Sequence, residues 1–158
     1  MAGLLSNKII QKIEQASDLY HRLVLVVAPQ GSGKTSVLKE VQQDLGAPFV
    51  NVNLEISRQL LSLTARQQAL QLSRIMEDIL REAETEVVLL DNIEILFEVS
   101  LKQDPLRLLQ GLSRNRTIVA SWNGEIKDKH LTYATPDHQE YHRYPSRDLL
   151  VVTTQPEP

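Results

Sequence analysis

The 158-residue sequence predicts an α/β domain, a three-layer αβα sandwich around a mainly parallel five-stranded sheet. Three observations predict it. Short runs rich in Val, Leu and Ile alternate with longer segments whose apolar residues recur at helical spacing. The run at 87–90, Val-Val-Leu-Leu, is apolar without alternation, which suits a strand buried on both faces, as parallel strands are. The first run, at 23–27, passes through a glycine-containing loop straight into a helical pattern, the order a strand–loop–helix crossover has.

Taken in order, a leading helix over about 5–20 has Ser6 as its cap and Ile9, Ile10, Ile13, Ala16 and Tyr20 as its apolar positions. Strand one covers 22–27, and a helix follows over 36–45 with Val37, Leu38, Val41 and Leu45 as its buried stripe and Gly46 as its stop. Strand two reads over 48–54 and a short helix over 55–61. Thr64 with Gln67 three residues on is a capping box for a longer helix striped by Leu72, Ile75, Met76, Ile79 and Leu80. Strand three ends in Asp91. Asp104-Pro105 is an N-cap followed by a first-turn proline, opening a helix with Leu106, Leu108, Leu109 and Leu112 inward and an end near Ser113. Strands four and five read over 117–121 and 148–153. Between them, 124–147 has no clear period apart from a short strand at 131–133, and 154–158 is expected to fray.

Composition bounds the function. The length fits one domain over 1–158 with a real core. There is no Cys, which excludes disulfides and Cys-based metal sites. No apolar run is long enough to span a membrane, and the first residues lack a signal peptide's charged start and apolar core, so the expected place is the cytoplasm. The net charge of −3 gives no general drive toward nucleic acid, although a local basic face is possible in the C-terminal third. His130, His138 and His142 fall in the segment without a pattern and have no Cys to support a zinc site.

The residues with chemistry begin at 28–35, Ala-Pro-Gln-Gly-Ser-Gly-Lys-Thr, between a strand and a helix. This is a phosphate-binding loop whose first position is Ala28 where the strict pattern has Gly. Gly31 and Gly33 permit backbone angles that turn successive N–H groups onto a phosphate. Pro29, Gln30, Ser32 and Ser36 complete the candidate phosphate site, Lys34 brings a cation to the β/γ-phosphates, and the Thr35 hydroxyl is a Mg²⁺ ligand. Asp91, at the end of the apolar strand three, is the second metal residue. Glu94 is the candidate base, since Asn92 directly after Asp91 can orient water and cannot take a proton. Asn123, at the tip of strand four, is the candidate γ-phosphate sensor. Arg114 and Arg116 are candidates for a charge donated to a neighbouring subunit's nucleotide. ATP is expected over GTP because no Asn-Lys-x-Asp motif occurs.

With residues 28–35, Leu-Leu-Asp-Asn-Ile-Glu at 89–94 and Ile-Val-Ala-Ser-Trp-Asn at 118–123 in this order, the chain resembles the AAA+-related P-loop ATPases. The Asp104-Pro105 helix before strand four is similar to that of the origin-recognition and DnaA-like members. The resemblance implies phosphate binding by 31–35, Mg²⁺ at Thr35 and Asp91, and sensing by Asn123. The family's helical lid has no room in this length. More narrowly, the size and motif set resemble BrxF, the group of small P-loop ATPases of BREX bacteriophage-exclusion systems, which would imply other BREX subunits as partners and an antiviral setting. The expected activity is Mg²⁺-dependent ATP hydrolysis by a homo-oligomer whose nucleotide state controls assembly with partners. An ATP-binding adaptor without turnover and a small-molecule or nucleoside kinase are the alternatives.

Overall fold

The structure is a computed structural model that describes residues 2–153; the expected frayed tail at 154–158 lies outside the described residues. Twelve regular elements follow in order: α1 (Ala2–Ala16), β1 (Leu23–Ala28), α2 (Lys34–Leu45), β2 (Phe49–Asn51), α3 (Val52–Leu60), α4 (Ala65–Ala83), β3 (Val87–Asp91), α5 (Pro105–Leu112), β4 (Thr117–Lys127), β5 (His130–Tyr133), β6 (His142–Pro145) and β7 (Leu150–Thr153). Two 3₁₀ turns, Ile93–Phe97 and Val99–Leu101, link β3 to α5.

The parallel core has the strand order β2-β3-β4-β1-β7. These are the five expected strands, now in spatial order. All six residues of β1 are buried, as expected for a strand covered on both faces. Alternate residues serve the two layers. Val24, Val26, Leu89 and Val119 pack under α1 and α2 through Ile9, Ala16, Val37, Leu38 and Val41. Leu25, Val27, Leu90, Ile118 and Ala120 pack under α3, α4 and α5 through Ile56, Leu72, Met76, Leu80 and Leu109. The three-layer sandwich is thus the observed architecture.

The local stop and start signals act as read. Gly46 ends α2 in the left-handed region at φ 67°, where a Cβ would be strained. Thr64 accepts from the Gln67 backbone N–H while the Gln67 side chain accepts from Thr64 N–H. Asp104 accepts from the Arg107 N–H ahead of α5.

Five expectations need correction. Leu45, read into the buried stripe of α2, is exposed at the last residue of that helix. Helix α1 begins by residue 2, so Ser6 lies inside it; Ser6 is buried and its hydroxyl donates to Gly3 O instead of capping. Tyr20 lies beyond α1 and is 66% exposed. Strand two is only Phe49–Asn51, because the Asn51 side chain accepts from Leu54 N–H and starts α3 at Val52. Strand four runs past residue 121 to Lys127, leaves the parallel sheet and pairs antiparallel with β5, which pairs with β6. The sheet therefore has seven strands, and much of the segment without a pattern is this hairpin.

The hairpin's inner face is aromatic. Phe97 stacks on Tyr133 at 3.6 Å between ring centroids and meets the buried Trp122 edge-on at 5.0 Å. Trp122 Nε1 donates to Thr132 O at 3.0 Å, and Tyr144 donates to Asp104 at 2.9 Å. Burial pushes the Tyr133 hydroxyl up to about 12, helped by the charges of Glu140 and Glu94.

Candidate functional site

The carboxyl ends of β1, β3 and β4 converge, and the loop after β1 turns across them. Gly31 and Gly33 take φ of 79° and 94°, a region that favours glycine, and a Cβ built on either meets nothing within 4 Å. These glycines are required by the backbone conformation and not by crowding. The Ser32 hydroxyl donates to Pro29 O at 2.5 Å and pins the loop.

Lys34 opens α2 and is 5% exposed. Its ammonium donates to Ala28 O at 3.0 Å and Pro29 O at 2.8 Å. An ammonium has three donors, so one remains for a ligand. Burial lowers its pKa from the ordinary value, opposed by the nearby Glu94 and Asp91 carboxylates. Thr35 Oγ1 donates to Asp91 Oδ2 at 2.6 Å. Asp91 is 3% exposed and its other oxygen, Oδ1, accepts from Ser121 Oγ at 2.6 Å.

Asn92 takes the left-handed conformation at φ 52°, which Asn tolerates better than most residues. This bend starts the 3₁₀ turn that carries Glu94 back over the strand ends. Glu94 Oε1 accepts from Asn123 Nδ2 at 2.5 Å, so the candidate base and the candidate sensor are joined. Gln30, Gly31, Lys34, Thr35, Asp91, Glu94 and Asn123 line one cleft of about 190 Å³. It adjoins a wider cleft of about 510 Å³ that shares Gln30, Asn92 and Glu94 and is also lined by Glu98 and Glu140. The carboxylates of the wider cleft disfavour phosphate, whereas Lys34 and the loop favour it in the smaller one.

The structure thus brings together Gln30, Gly31, Gly33, Lys34, Thr35, Asp91, Glu94 and Asn123. Pro29 and Ser32 brace the loop, and Ser36 is exposed on the first turn of α2, away from the cleft lining. The two arginines lie elsewhere. They precede β4 at its amino end, whereas the site sits at residues 121–123 of the same strand, about 20 Å away at ~3.3 Å per residue. Arg116 is held inside the chain: its Nη1 donates to Leu80 O near the end of α4. That bond uses one of the five guanidinium N–H donors and ties the side chain to its own chain. Arg114 is exposed and stacks over Tyr20 at 4.7 Å. Sequence reasoning missed Ser121. The available signal was a lone hydroxyl in the otherwise apolar run 118–122.

The donor set suits the expected group. A hydroxyl and a carboxylate are hard oxygen donors of the kind Mg²⁺ takes, and Asp91 through Thr35 presents both beside the phosphate loop. No helix of the described residues is long and apolar enough to cross a membrane.

No curated protein sequence matches the chain. Among solved structures, C. elegans PCH-2 is similar with a TM-score of 0.45 at 19% identity; the alignment covers 99% of this chain and 42% of that one. The family model described as "ATPase family associated with various cellular activities (AAA)" matches residues 24–119, which takes in the phosphate loop, Asp91 and Glu94 and ends before Ser121 and Asn123. With well over half of its length inside that match, and the phosphate loop and acidic strand end facing each other across one cleft, the chain belongs to the AAA family of ATPases.

Proposed function

We propose that the chain binds and hydrolyses ATP with Mg²⁺ and that its nucleotide state controls assembly with copies of itself and with partner proteins. The observation that carries this reading is one cleft holding Lys34, Thr35, Asp91, Glu94 and Asn123. The loop N–H groups and Lys34 bind the phosphates, Thr35 and Asp91 hold the metal, and Asn123 reads the γ-phosphate. A bound Mg²⁺ would neutralise charge developing on the phosphate oxygens. Glu94 takes the proton of the attacking water once its carboxylate is released by Asn123. The resemblance to the small BREX ATPases motivates a bacterial antiviral setting with other BREX subunits as partners.

A specific observation favours slow basal turnover. The Glu94 carboxylate is engaged by the Asn123 amide, and a hydrogen bond to a charged group is worth about 1.5–3 kcal/mol. By stabilising the charged form that bond weakens the carboxylate as a base, by up to about ten- to a hundredfold in rate, unless ligand or partner contacts break it. A kinase would need a closing lid, and residues 130–133 and 142–145 are committed to a hairpin packed through Tyr133 and Tyr144.

The test is ATP hydrolysis against protein concentration, with and without duplex DNA, for the native chain, Lys34→Ala and Glu94→Gln. Lys34→Ala should abolish nucleotide binding or turnover. Glu94→Gln should keep binding and lose about 10²–10⁴-fold in rate. Full activity in Lys34→Ala refutes the site. A specific rate that does not rise with protein concentration removes self-assembly from the reading.

A further inference from the structure

We propose that Ser121 is a positioning residue for the metal end of this site: it fixes the Asp91 carboxylate and thereby sets the Mg²⁺ affinity of the nucleotide complex. The inference rests on the Mg²⁺–ATP function proposed above and adds a residue outside the family match, which ends at residue 119.

The case begins with burial. Residues 117–122 of β4 are all buried, and Ser121 is 3% exposed among Ile118, Val119, Ala120 and Trp122. A hydroxyl in that setting is costly unless it is hydrogen-bonded. Its one O–H goes to Asp91 Oδ1 at 2.6 Å, within the short range of hydroxyl-to-carboxylate bonds. The sheet register places it there. Ala120 pairs with Leu90, so Ser121 and Asp91 are the next residues along adjacent parallel strands. On the other side Ser121 pairs with Val26 of β1. The donor therefore stands on a strand held from both sides and does not drift with the loops.

The other carboxylate oxygen, Oδ2, accepts from Thr35 Oγ1 at 2.6 Å. A hydroxyl has one proton and two lone pairs. With its proton on Asp91, Thr35 keeps its lone pairs for a cation. That arrangement holds only while the carboxylate keeps its orientation, because rotation about its last bond would withdraw Oδ2 from Thr35. Ser121 holds the opposite oxygen and blocks that rotation. Partners that orient metal ligands in this way typically change metal affinity about 10- to 100-fold when removed.

The test is a fluorescence-anisotropy titration of a fluorescent ATP analogue with the full chain, across Mg²⁺ concentration and in EDTA. Ser121→Ala should raise the Mg²⁺ midpoint about tenfold and leave the affinity in EDTA within about twofold. In an Asp91→Asn background the same change should add no further shift, since Ser121 acts through Asp91. Ser121→Cys, a near-isostere with a weak donor, should fall between and serves if the alanine variant does not fold. An unmoved midpoint in a folded variant overturns the proposal, as does an equal shift in both backgrounds, which would mark a structural role. If the native chain binds the analogue equally with Mg²⁺ and with EDTA, the metal function itself fails and the proposal falls with it. A Mg²⁺-dependent native chain with a native-like Ser121→Ala defeats Ser121 alone.

Discussion

Gly124 is where β4 leaves the parallel sheet, one residue after Asn123, and the structure gives the cost of a side chain there. A Cβ at Gly124 would lie 1.9 Å from Thr132 O and 2.9 Å from Trp122 Nε1. Those two atoms are themselves hydrogen-bonded at 3.0 Å, so the methyl would be wedged into that bond. The Thr132 carbonyl would have to retreat about 1 Å, from 1.9 Å to the 3.0 Å that real Cβ atoms keep. It is backbone of β5, tied to β4 and β6 on both sides, and cannot swing away as a flexible side chain would. Overpacking costs about 1–3 kcal/mol and the broken Trp122 bond about 1 kcal/mol more. The unfolded-state gain from Gly to Ala is at most about 1 kcal/mol, so the clash wins and Gly124→Ala should lose about 1–3 kcal/mol. For a chain of this size that is a fall of roughly 2–12 °C in Tm. Trp122 is the only tryptophan and is fully buried, so its emission reports the same event. Urea unfolding followed by that emission should show a lower midpoint, and a native-state red shift if the hairpin lifts. A loss below about 0.5 kcal/mol with unmoved emission would refute the geometry of this corner.

Three further outcomes are expected. Asp104→Ala removes both the cap of α5 and the acceptor for Tyr144, and should cost about 1–2 kcal/mol in urea unfolding. Tyr133 keeps its proton longer in the folded chain, up to about 12 against an ordinary 10.0. Its stabilisation is thus complete below the unfolded value and is lost as pH rises from there through the folded value, and Tyr133→Phe should flatten the fall of Tm in that window. Arg116→Ala should lower Tm through its lost bond to Leu80 O and leave concentration-dependent ATP turnover unchanged; a selective loss of turnover at native Tm would restore Arg116 as a trans residue.

What was legible in the sequence was mostly local. The caps at Thr64 and Asp104 and the stop at Gly46 depend on residues within a few positions, and each formed as read. Strands β1 and β3 were legible because strands buried on both faces carry unbroken apolar runs. Strand two misled because Val50, Val52 and Leu54 alternate like a strand, while the Asn51 cap turns the chain into a helix after three residues. Of the hairpin only the short strand at 131–133 was legible; its partner escaped notice because the inner face is made of Leu131, Tyr133, His142 and Tyr144 from two strands too short for a period to show. In the site, Lys34, Thr35 and Asp91 were legible from spacing alone. Ser121 and the internal bond of Arg116 were not, since each depends on a partner thirty or more residues away, which only the tertiary fold brings near.

The site's polar groups are matched to one another within the chain. Lys34 is held by two carbonyls, Thr35 and Ser121 by Asp91, and Glu94 by Asn123. A ligand entering this cleft exchanges partners, so its affinity is net of bonds worth about 1 kcal/mol each for neutral donors and more for the charged ones. The exchanges differ in kind. Lys34 and Thr35 can keep their present bonds and add a new one, because an ammonium has a third donor and a hydroxyl has spare lone pairs. Glu94 already accepts at Oε1 from the Asn123 amide, which stabilises its charged form and would weaken it as a base. On the proposed function, phosphate and metal binding would leave the present bonds of Lys34 and Thr35 in place, whereas base action by Glu94 would work against its bond to Asn123. Phe97, one 3₁₀ turn beyond Glu94, stacks on Tyr133, and Trp122, beside Asn123, is bonded to Thr132. The neighbours of both partners of the Glu94–Asn123 bond are thus tied to the β5–β6 hairpin, so displacing the hairpin would act on that bond.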